Sequence, residues 1–231
     1  MDLLSIASGS SGNCYYVGSE ETHLLVDAGV SGKKIESALN EIDRKPSDLN
    51  GILVTHEHID HVKGLGVMAR KHGIPIYTTG GTISEIKKMS SVGTIDDSLF
   101  HEIEPDEPFF INDLSIDASA IWHDAADPVC YSISDGKSKF SIATDMGNYD
   151  EYVVNKLKNS DIMVIEANHD IRMLQAGPYP YYLKQRILGN RGHLSNERSG
   201  QLIKALLNSH IKAILQSQIG RAVQQECRDR S

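Results

Sequence analysis

The chain has few cysteines, no long apolar segment and no excess of basic residues. Its three cysteines, Cys14, Cys130 and Cys227, show no paired spacing, which argues against a disulfide framework and against a zinc knuckle. No apolar run approaches the length of a membrane span, and the first residues lack the basic and apolar regions of a signal peptide. These absences predict a soluble cytoplasmic protein with no membrane partner.

The charge is negative overall but unevenly distributed along the chain. The 231 residues include 23 Lys and Arg against 31 Asp and Glu, a formal net charge of −8 that disfavours nucleic-acid binding over the whole surface. Residues 171–204 nevertheless contain six basic residues and one acidic residue, with three tyrosines among them. This segment is a candidate nucleic-acid surface, and the alternatives are ordinary solvated charge and tyrosines packed in the core.

Strand and helix patterns alternate along the chain in two blocks. Residues 52–54 form a short apolar, β-branched run typical of a buried strand, and residues 31–42 show the spacing of an amphipathic helix capped by Ser31. The second block ends in a helix predicted at 195–207 and a strand at 211–215. Two sets of strands, each continuing into helix–strand alternation, predict an α/β fold: a four-layer αββα sandwich without a linker between separate domains.

Four potential metal ligands follow the apolar run within six residues: His56, His58, Asp60 and His61. A strand that ends in this way delivers two pairs of ligands to one edge of a sheet. So many polar groups crowded together require partners, and two metal ions sharing a site would provide them, as in metal-assisted hydrolysis. The helical zincin motif His-Glu-x-x-His does not fit, because Asp60 occupies the position of its second histidine.

Further ligand types lie at the ends of two other predicted strands. His123 follows the strand at 114–121, and Asp145 follows a strand that begins at Phe140. A dinuclear site needs more ligands than one loop supplies, so both residues are candidates, with Asp145 as the natural bridging carboxylate. A core role for His123 and a turn role for Asp145 are the alternatives. His193 precedes the helix at 195–207, where it could be a ligand, a proton donor or a cap residue.

Taken together, these residues resemble the metallo-β-lactamase fold, and the flanking motifs resemble its bacterial WalJ (YycJ) type. The motifs extend over residues 1 to about 215 and are Ser8-Gly-Ser-Ser-Gly-Asn-Cys14, His123-Asp124-Ala125, Ala143-Thr-Asp-Met-Gly147, Glu166-Ala-Asn-His-Asp170 and Gly192-His-Leu-Ser-Asn196. The resemblance implies an αββα fold. It also implies phosphodiester hydrolysis by a 5′-to-3′ exonuclease that acts on the ends of double-stranded DNA with manganese or zinc.

The resemblance also implies a role for each candidate residue. His56, His58 and His123 would hold one metal ion, Asp60 and His61 would hold the second, and Asp145 would bridge the two ions. Asp60 would in addition orient the attacking water, and His193 would assist departure of the leaving group.

The C-terminal residues depart from the family pattern. That pattern places a second Gly-His-Leu-Ser after the last strand as the source of a seventh ligand, whereas this chain has Ser217-Gln218-Ile219. A glutamine amide is a poor substitute for imidazole at a transition-metal site. We therefore expect a hydrolase domain over 1–215, an atypical polar tail without structural purpose over 216–231 that reflects truncation or frameshift, and a weakened second metal position.

Two other functions remain open from the sequence. A small-molecule hydrolase acting on thioesters or lactones could use the same site; the acidic overall charge favours it and the basic segment 171–204 opposes it. A metal-binding or regulatory protein without catalytic activity is the other alternative, because the expected seventh ligand is missing.

Overall fold

The computed structural model describes residues 1–207 and 210–218, and the chain divides into two compact units. The first unit comprises residues 1–118, 125–129 and 133–137. The second comprises residues 119–124, 130–132 and the described residues from 138 onward. Among the described residues, none of the helices has the length and apolar character needed to cross a membrane.

The first unit contains a six-stranded mixed sheet in which strand order follows chain order. Its strands are β1 (Asp2–Ala7), β2 (Cys14–Gly18), β3 (His23–Val26), β4 (Gly51–Leu53), β5 (Ile76–Thr78) and β6 (Phe100–Glu102). The first three strands are antiparallel, and β3 to β6 run parallel. The helices of this unit are α1 (Gly32–Asn40), α2 (Ile59–Val62), α3 (Leu65–His72) and α4 (Gly80–Lys88).

The core of the first unit lies between this sheet and its helices. Apolar side chains of the parallel strands, such as Leu25 and Ile52, are fully buried in one cluster with Ile35 of α1 and Met68 of α3. Ser31 caps α1 by accepting a hydrogen bond from the backbone N–H of Lys34, as the sequence predicted. This packing fixes the carboxyl end of β4, where the histidine motif begins.

A second six-stranded sheet has the order β12-β11-β10-β9-β8-β7. Its strands are β7 (Phe109–Ile111), β8 (Leu114–Ala120), β9 (Val129–Ser134), β10 (Lys139–Ala143), β11 (Ile162–Glu166) and β12 (Ala213–Ser217). The last three strands run parallel. The second unit carries the helices α5 (Glu151–Leu157), α6 (Ile171–Ala176), α7 (Tyr181–Leu188) and α8 (Asn196–Leu206). Its core joins strand residues such as Ile165 to Leu157 of α5 and Leu202 of α8.

Apolar spacing after the metal motif predicts one helix from about Val62 to Lys71. The structure instead has α2, which ends at Val62, and α3, which begins at Leu65, and hydrogen bonding explains the break. In a continuous helix the N–H of Gly64 would bond to the carbonyl oxygen of Asp60. That oxygen instead accepts the N–H of Asn13 at 2.7 Å, and Gly64 donates to Ala28 at 2.7 Å. The helix is therefore interrupted so that the backbone after the metal motif can bond to two other loops.

The C-terminal part also differs from the sequence-based expectation. The last described strand is β12 at Ala213–Ser217 rather than 211–215, so the first residues of the predicted tail belong to the sheet. Residues 219–231, which make up most of that tail and include Cys227, lie outside the described residues. A single hydrolase domain over 1–215 remains a prediction.

Candidate metal centre

The three histidines of the motif lie close together in the first unit. The chain leaves β4, continues through buried His56, and enters α2 with His58 at the helix N-cap. The Nε2 atom of His56 and the Nδ1 atom of His58 are 3.0 Å apart. The ring centroids of His56 and His61 are 4.1 Å apart, and both side chains are fully buried. Three imidazoles are thus brought together where apolar packing alone would not retain them.

Asp27 determines the orientation and tautomer of His61. The Asp27 carboxylate is 2.7 Å from Nδ1 of His61, and it also accepts the backbone N–H and the hydroxyl of Thr55. Burial raises the pKa of the Asp27 carboxyl, and the neighbouring His61 partly offsets that rise. Donation of Nδ1–H to Asp27 places the lone pair of neutral His61 on Nε2, the atom that a metal ion would bind.

Asn13 contacts both members of the second ligand pair. Its amide nitrogen is 3.0 Å from Nε2 of His61 and 3.4 Å from Oδ2 of Asp60. The Asp60 side chain is 27% exposed, whereas His61 is enclosed. Of the two, Asp60 therefore presents its carboxylate to solvent, which suits a residue that orients water.

Close backbone contacts hold the metal motif against the loop after β3. Ala28 donates to the carbonyl of His61, and Gly29 donates to that of Asn13, both at 2.8 Å. A Cβ atom at Gly29 would overlap the carbonyl oxygen of Asp60. Only glycine allows the two loops to approach this closely.

We expect Gly29→Ala to lower the free energy of unfolding by about 3 kcal/mol, because the loops must separate to accommodate a methyl group. Gly200→Ala is the matched control, since a Cβ atom at that exposed position of α8 would meet no atom within 4 Å. It should raise stability by roughly 0.5–1 kcal/mol, since alanine favours helix. Equilibrium urea unfolding of both variants would measure these opposite changes, and equal effects would contradict the close-approach argument.

In the second unit, His123 is oriented by a backbone carbonyl. Its side chain is buried, and Nδ1 lies 3.1 Å from the carbonyl oxygen of Gly192. Because a carbonyl can only accept, Nδ1 carries the proton and Nε2 carries the lone pair. The tautomer of His123 is therefore the one that a metal ligand requires at Nε2.

Asp145 follows β10 in a left-handed backbone conformation, with φ of 58°. It is 3% exposed, and its Oδ2 atom accepts a hydrogen bond of 2.6 Å from the side-chain amide of Gln218. Gln218 is itself buried and also left-handed, with φ of 50°. Gln218 was expected to belong to a tail without structural purpose; instead it is part of the fold and contacts the predicted bridging carboxylate.

His193 pairs with a buried glutamate at the end of β11. Its Nδ1 atom is 3.0 Å from Oε2 of Glu166 and 3.6 Å from Oδ1 of Asp145. Burial opposes the charged imidazole, but the charge of Glu166 and its hydrogen bond outweigh burial and raise the pKa of His193 to about 9. The other oxygen of Glu166 accepts the backbone N–H groups of Met146 and Leu194. Glu166 is thus a positioning residue that holds His193 and the loop carrying Asp145.

The residues present fit a divalent transition-metal ion. The closely spaced nitrogens of His56 and His58, and the fixed tautomer of His61, supply imidazole donors together with the nearby carboxylate of Asp60. Such nitrogen and oxygen donors suit zinc, manganese or iron. Ligand atoms of Asp145, Glu166 and His193 also lie within 4.8 Å of one another. Both oxygens of Glu166 already accept hydrogen bonds, so the group of Asp145, Glu166 and His193 is a hydrogen-bonded network.

Sequence reasoning assigned no site role to Asn13, Asp27, Glu166 or the amide of Gln218. The sequence offered one sign of a site role for three of them, which is a polar residue at the edge of a strand. Asn13 directly precedes β2, Asp27 directly follows β3, and Glu166 is the last residue of β11. Their histidine partners are 27 or more positions away in the chain. No local pattern reveals such contacts.

Comparison with known proteins identifies the family. Residues 22–213 match the β-lactamase superfamily domain. The chain is 42% identical over 209 residues to exodeoxyribonuclease WalJ of Streptococcus pneumoniae, covering 90% of this chain and 78% of that protein. It is 36% identical to exodeoxyribonuclease YycJ of Bacillus anthracis, with the same coverage of 90% and 78%.

Solved structures show the same fold at low sequence identity. The metallo-β-lactamase fold protein YhfI of Bacillus subtilis matches with a TM-score of 0.73 at 17% identity, covering 98% of this chain and 89% of that one. The short form of human tRNase Z matches with a TM-score of 0.71 at 17% identity, covering 97% and 94%. These matches confirm the predicted α/β fold class, with two mixed sheets flanked by helices. The chain therefore belongs to the β-lactamase superfamily and, within it, to the family of the WalJ and YycJ exodeoxyribonucleases.

Proposed function

We propose that this protein is a metal-dependent exodeoxyribonuclease, a hydrolase of phosphodiester bonds in DNA. The observation that carries the proposal is the cluster of buried His56 and His61 with half-buried His58, in which Asp27 holds His61 in a metal-binding tautomer. Its relatives named as exodeoxyribonucleases, at 42% and 36% identity, supply the class of substrate. These relatives do not favour the thioester or lactone hydrolase, or the protein without catalytic activity.

Two divalent ions are the proposed cofactors, with manganese and zinc as the candidates. His56, His58 and His123 would hold one ion, Asp60 and His61 the other, and Asp145 would contact both. Bound ions of this kind supply Lewis-acid polarisation of the phosphodiester and a water that loses its proton near neutral pH. The fixed tautomers of His61 and His123 support this assignment.

The protein residues would orient the reactants and move one proton. The partly exposed carboxylate of Asp60 would accept a hydrogen bond from the attacking water and direct its oxygen toward phosphorus. As the new P–O bond forms and the bond to the leaving oxygen breaks, His193 donates a proton to that oxygen. Glu166 keeps Nδ1 of His193 engaged, so that Nε2 is the atom that transfers the proton.

We expect one ion to bind more weakly than the other, because Gln218 stands where the family pattern has a histidine. Its amide donates to Oδ2 of Asp145 and so competes for a carboxylate oxygen that a second ion needs. Gln218→His should tighten the weaker site by about tenfold or more, since imidazole binds such ions better than an amide. Calorimetric titration with Mn²⁺ would measure both affinities.

Gln218→Asn is the matched control, since a shorter amide supplies no imidazole and should leave the weaker site weak. Two equally tight ions in the unmodified protein would contradict the proposed role of Gln218.

The finer features of the substrate are also part of the proposal: cleavage proceeds 5′ to 3′ from duplex DNA ends, in the cytoplasm where such DNA lies. The test is a nuclease assay on duplex DNA, single-stranded DNA and RNA, each labelled at one known end, with Mn²⁺ or Zn²⁺ and with a chelator. Early release of 5′-terminal mononucleotides from duplex DNA is the expected result. Hydrolysis of acyl-glutathione without degradation of any nucleic acid would overturn the proposal.

A further inference from the structure

We propose that one face of the second unit, which we call the α6–α7 surface, binds the DNA strand next to the site of hydrolysis. The surface consists of the exposed side chains of residues 171–191. Its cationic groups would contact phosphates, and its tyrosines would stack on bases. This inference rests on the proposed nuclease function and names the surface that presents the substrate.

The charge of this surface contrasts with that of the chain. Residues 171–196 contain four basic residues and no acidic residue, in a protein whose net charge is −8. Arg172 and Arg191 are exposed, and neither guanidinium has an ion pair or hydrogen bond to another described residue. Cations left unpaired in an acidic protein form a local site for a polyanion.

Aromatic exposure supplies the second, independent observation. Tyr181 and Tyr182 are 76% and 73% exposed, the highest values among the large apolar side chains of the described residues. The alternative that these tyrosines pack in the core is therefore wrong. Ile171, Met173 and Tyr179 of the same segment are also exposed. Exposed aromatic rings and cations on one segment are the combination that single-stranded nucleic acid recognises, because every base offers a face for stacking.

The surface is joined to the proposed catalytic residues by direct contacts. Arg186 of α7 forms a two-pronged ion pair with Asp124, the neighbour of His123, at 2.5 and 3.1 Å. The carbonyl oxygen of Ile187 accepts the backbone N–H of His193 at 3.1 Å. A Cβ atom at Gly192 would overlap that same carbonyl oxygen, so the chain before His193 packs tightly on α7.

The helices of the surface are also tied to each other. The ammonium group of Lys184 donates to the carbonyl of Gln175 at 2.7 Å and so connects α7 to the end of α6. A strand bound across this pair would therefore be held at a fixed position relative to His123 and His193. Exposed apolar side chains also suit a protein partner or an anionic membrane, but unpaired guanidinium groups and stackable rings on the same segment favour DNA.

The test compares DNA binding by stacking variants and their matched controls in the full chain. Tyr181→Ala/Tyr182→Ala should weaken binding of a 5′-phosphorylated duplex with a short single-stranded end by about tenfold or more. Tyr181→Phe/Tyr182→Phe retains the rings and should bind like the unmodified protein. Fluorescence anisotropy at several salt concentrations gives the affinities.

A charge variant provides a second readout. Arg172→Gln/Arg191→Gln should lower the slope of log Kd against log salt concentration by about 1–2, because two phosphate contacts are lost. Lys33→Gln/Lys137→Gln removes two exposed cations from the first unit and should leave the slope nearly unchanged. Hydrolysis of bis(p-nitrophenyl) phosphate, which is too small to reach the surface, should be unchanged in every variant.

The outcomes separate this inference from the proposed function. Unaltered DNA binding by both the tyrosine and the arginine variants, with nuclease activity intact, would overturn the α6–α7 surface alone. Absence of any nuclease activity in the unmodified protein would overturn the proposed function. Loss of binding to phosphatidylglycerol vesicles without loss of DNA binding would assign the surface to a membrane and overturn the inference.

Discussion

Asp60→Asn should reduce the rate of DNA hydrolysis by about a thousandfold or more, the range seen when one member of a catalytic group is removed. The amide retains the size of the carboxylate but loses the negative charge that would hold and orient the attacking water. The side chain is partly exposed and contacts Asn13 at 3.4 Å, so the substitution should leave the fold intact. Steady-state rates on an end-labelled duplex, together with the thermal unfolding midpoint, would measure both effects.

Glu20→Gln is the control for loss of one negative charge, since Glu20 is exposed in the turn before β3. Its rate should match that of the unmodified protein. A rate for Asp60→Asn within a fewfold of normal, with bound metal unchanged, would remove Asp60 from the catalytic group.

His193→Ala should lower the rate on DNA by about a hundredfold or more, as expected for loss of a general acid. The effect should nearly vanish with thymidine 5′-(p-nitrophenyl) phosphate, because p-nitrophenolate departs without needing a proton. This difference between substrates distinguishes proton donation from a merely structural role. A metal ligand, by contrast, would affect both substrates and would change the metal content.

Glu166→Gln provides the companion variant. It removes the charge that holds Nδ1 of His193 while preserving the oxygen that accepts the N–H groups of Met146 and Leu194. We expect a smaller loss than for His193→Ala, again confined to the substrate with the poor leaving group. Equal losses on both substrates in either variant would contradict proton donation by His193.

Local pattern was sufficient for most of the secondary structure. The apolar run before His56 is strand β4, and the helix capped by Ser31 is α1, because periodicity and capping act over a few residues. The break between α2 and α3 escaped prediction, since it depends on hydrogen bonds from Asn13 and to Ala28. Helices α6 and α7 were likewise not predicted, since each is short, only Leu174 of α6 is buried, and α7 has no buried residue.

The identity of the candidate ligands was available from the sequence, because His56, His58, Asp60 and His61 follow one strand and their spacing is local. The strand and helix pattern predicted the fold class, and the resemblance to the family then supplied the exonuclease activity. Metal binding by these residues, and the roles of His123, Asp145 and His193, remain predictions. Metal analysis of the variants above would test them.

Only the tertiary structure decided which groups orient those side chains. Asp27 holds His61, Glu166 holds His193, and Gln218 contacts Asp145 across 73 positions of the chain. Likewise, only the fold distinguished buried from exposed tyrosines, because the side chain is suited to both environments. Ligand chemistry is a property of residue type and short spacing, whereas orientation and exposure depend on strand register and loop packing that join distant segments.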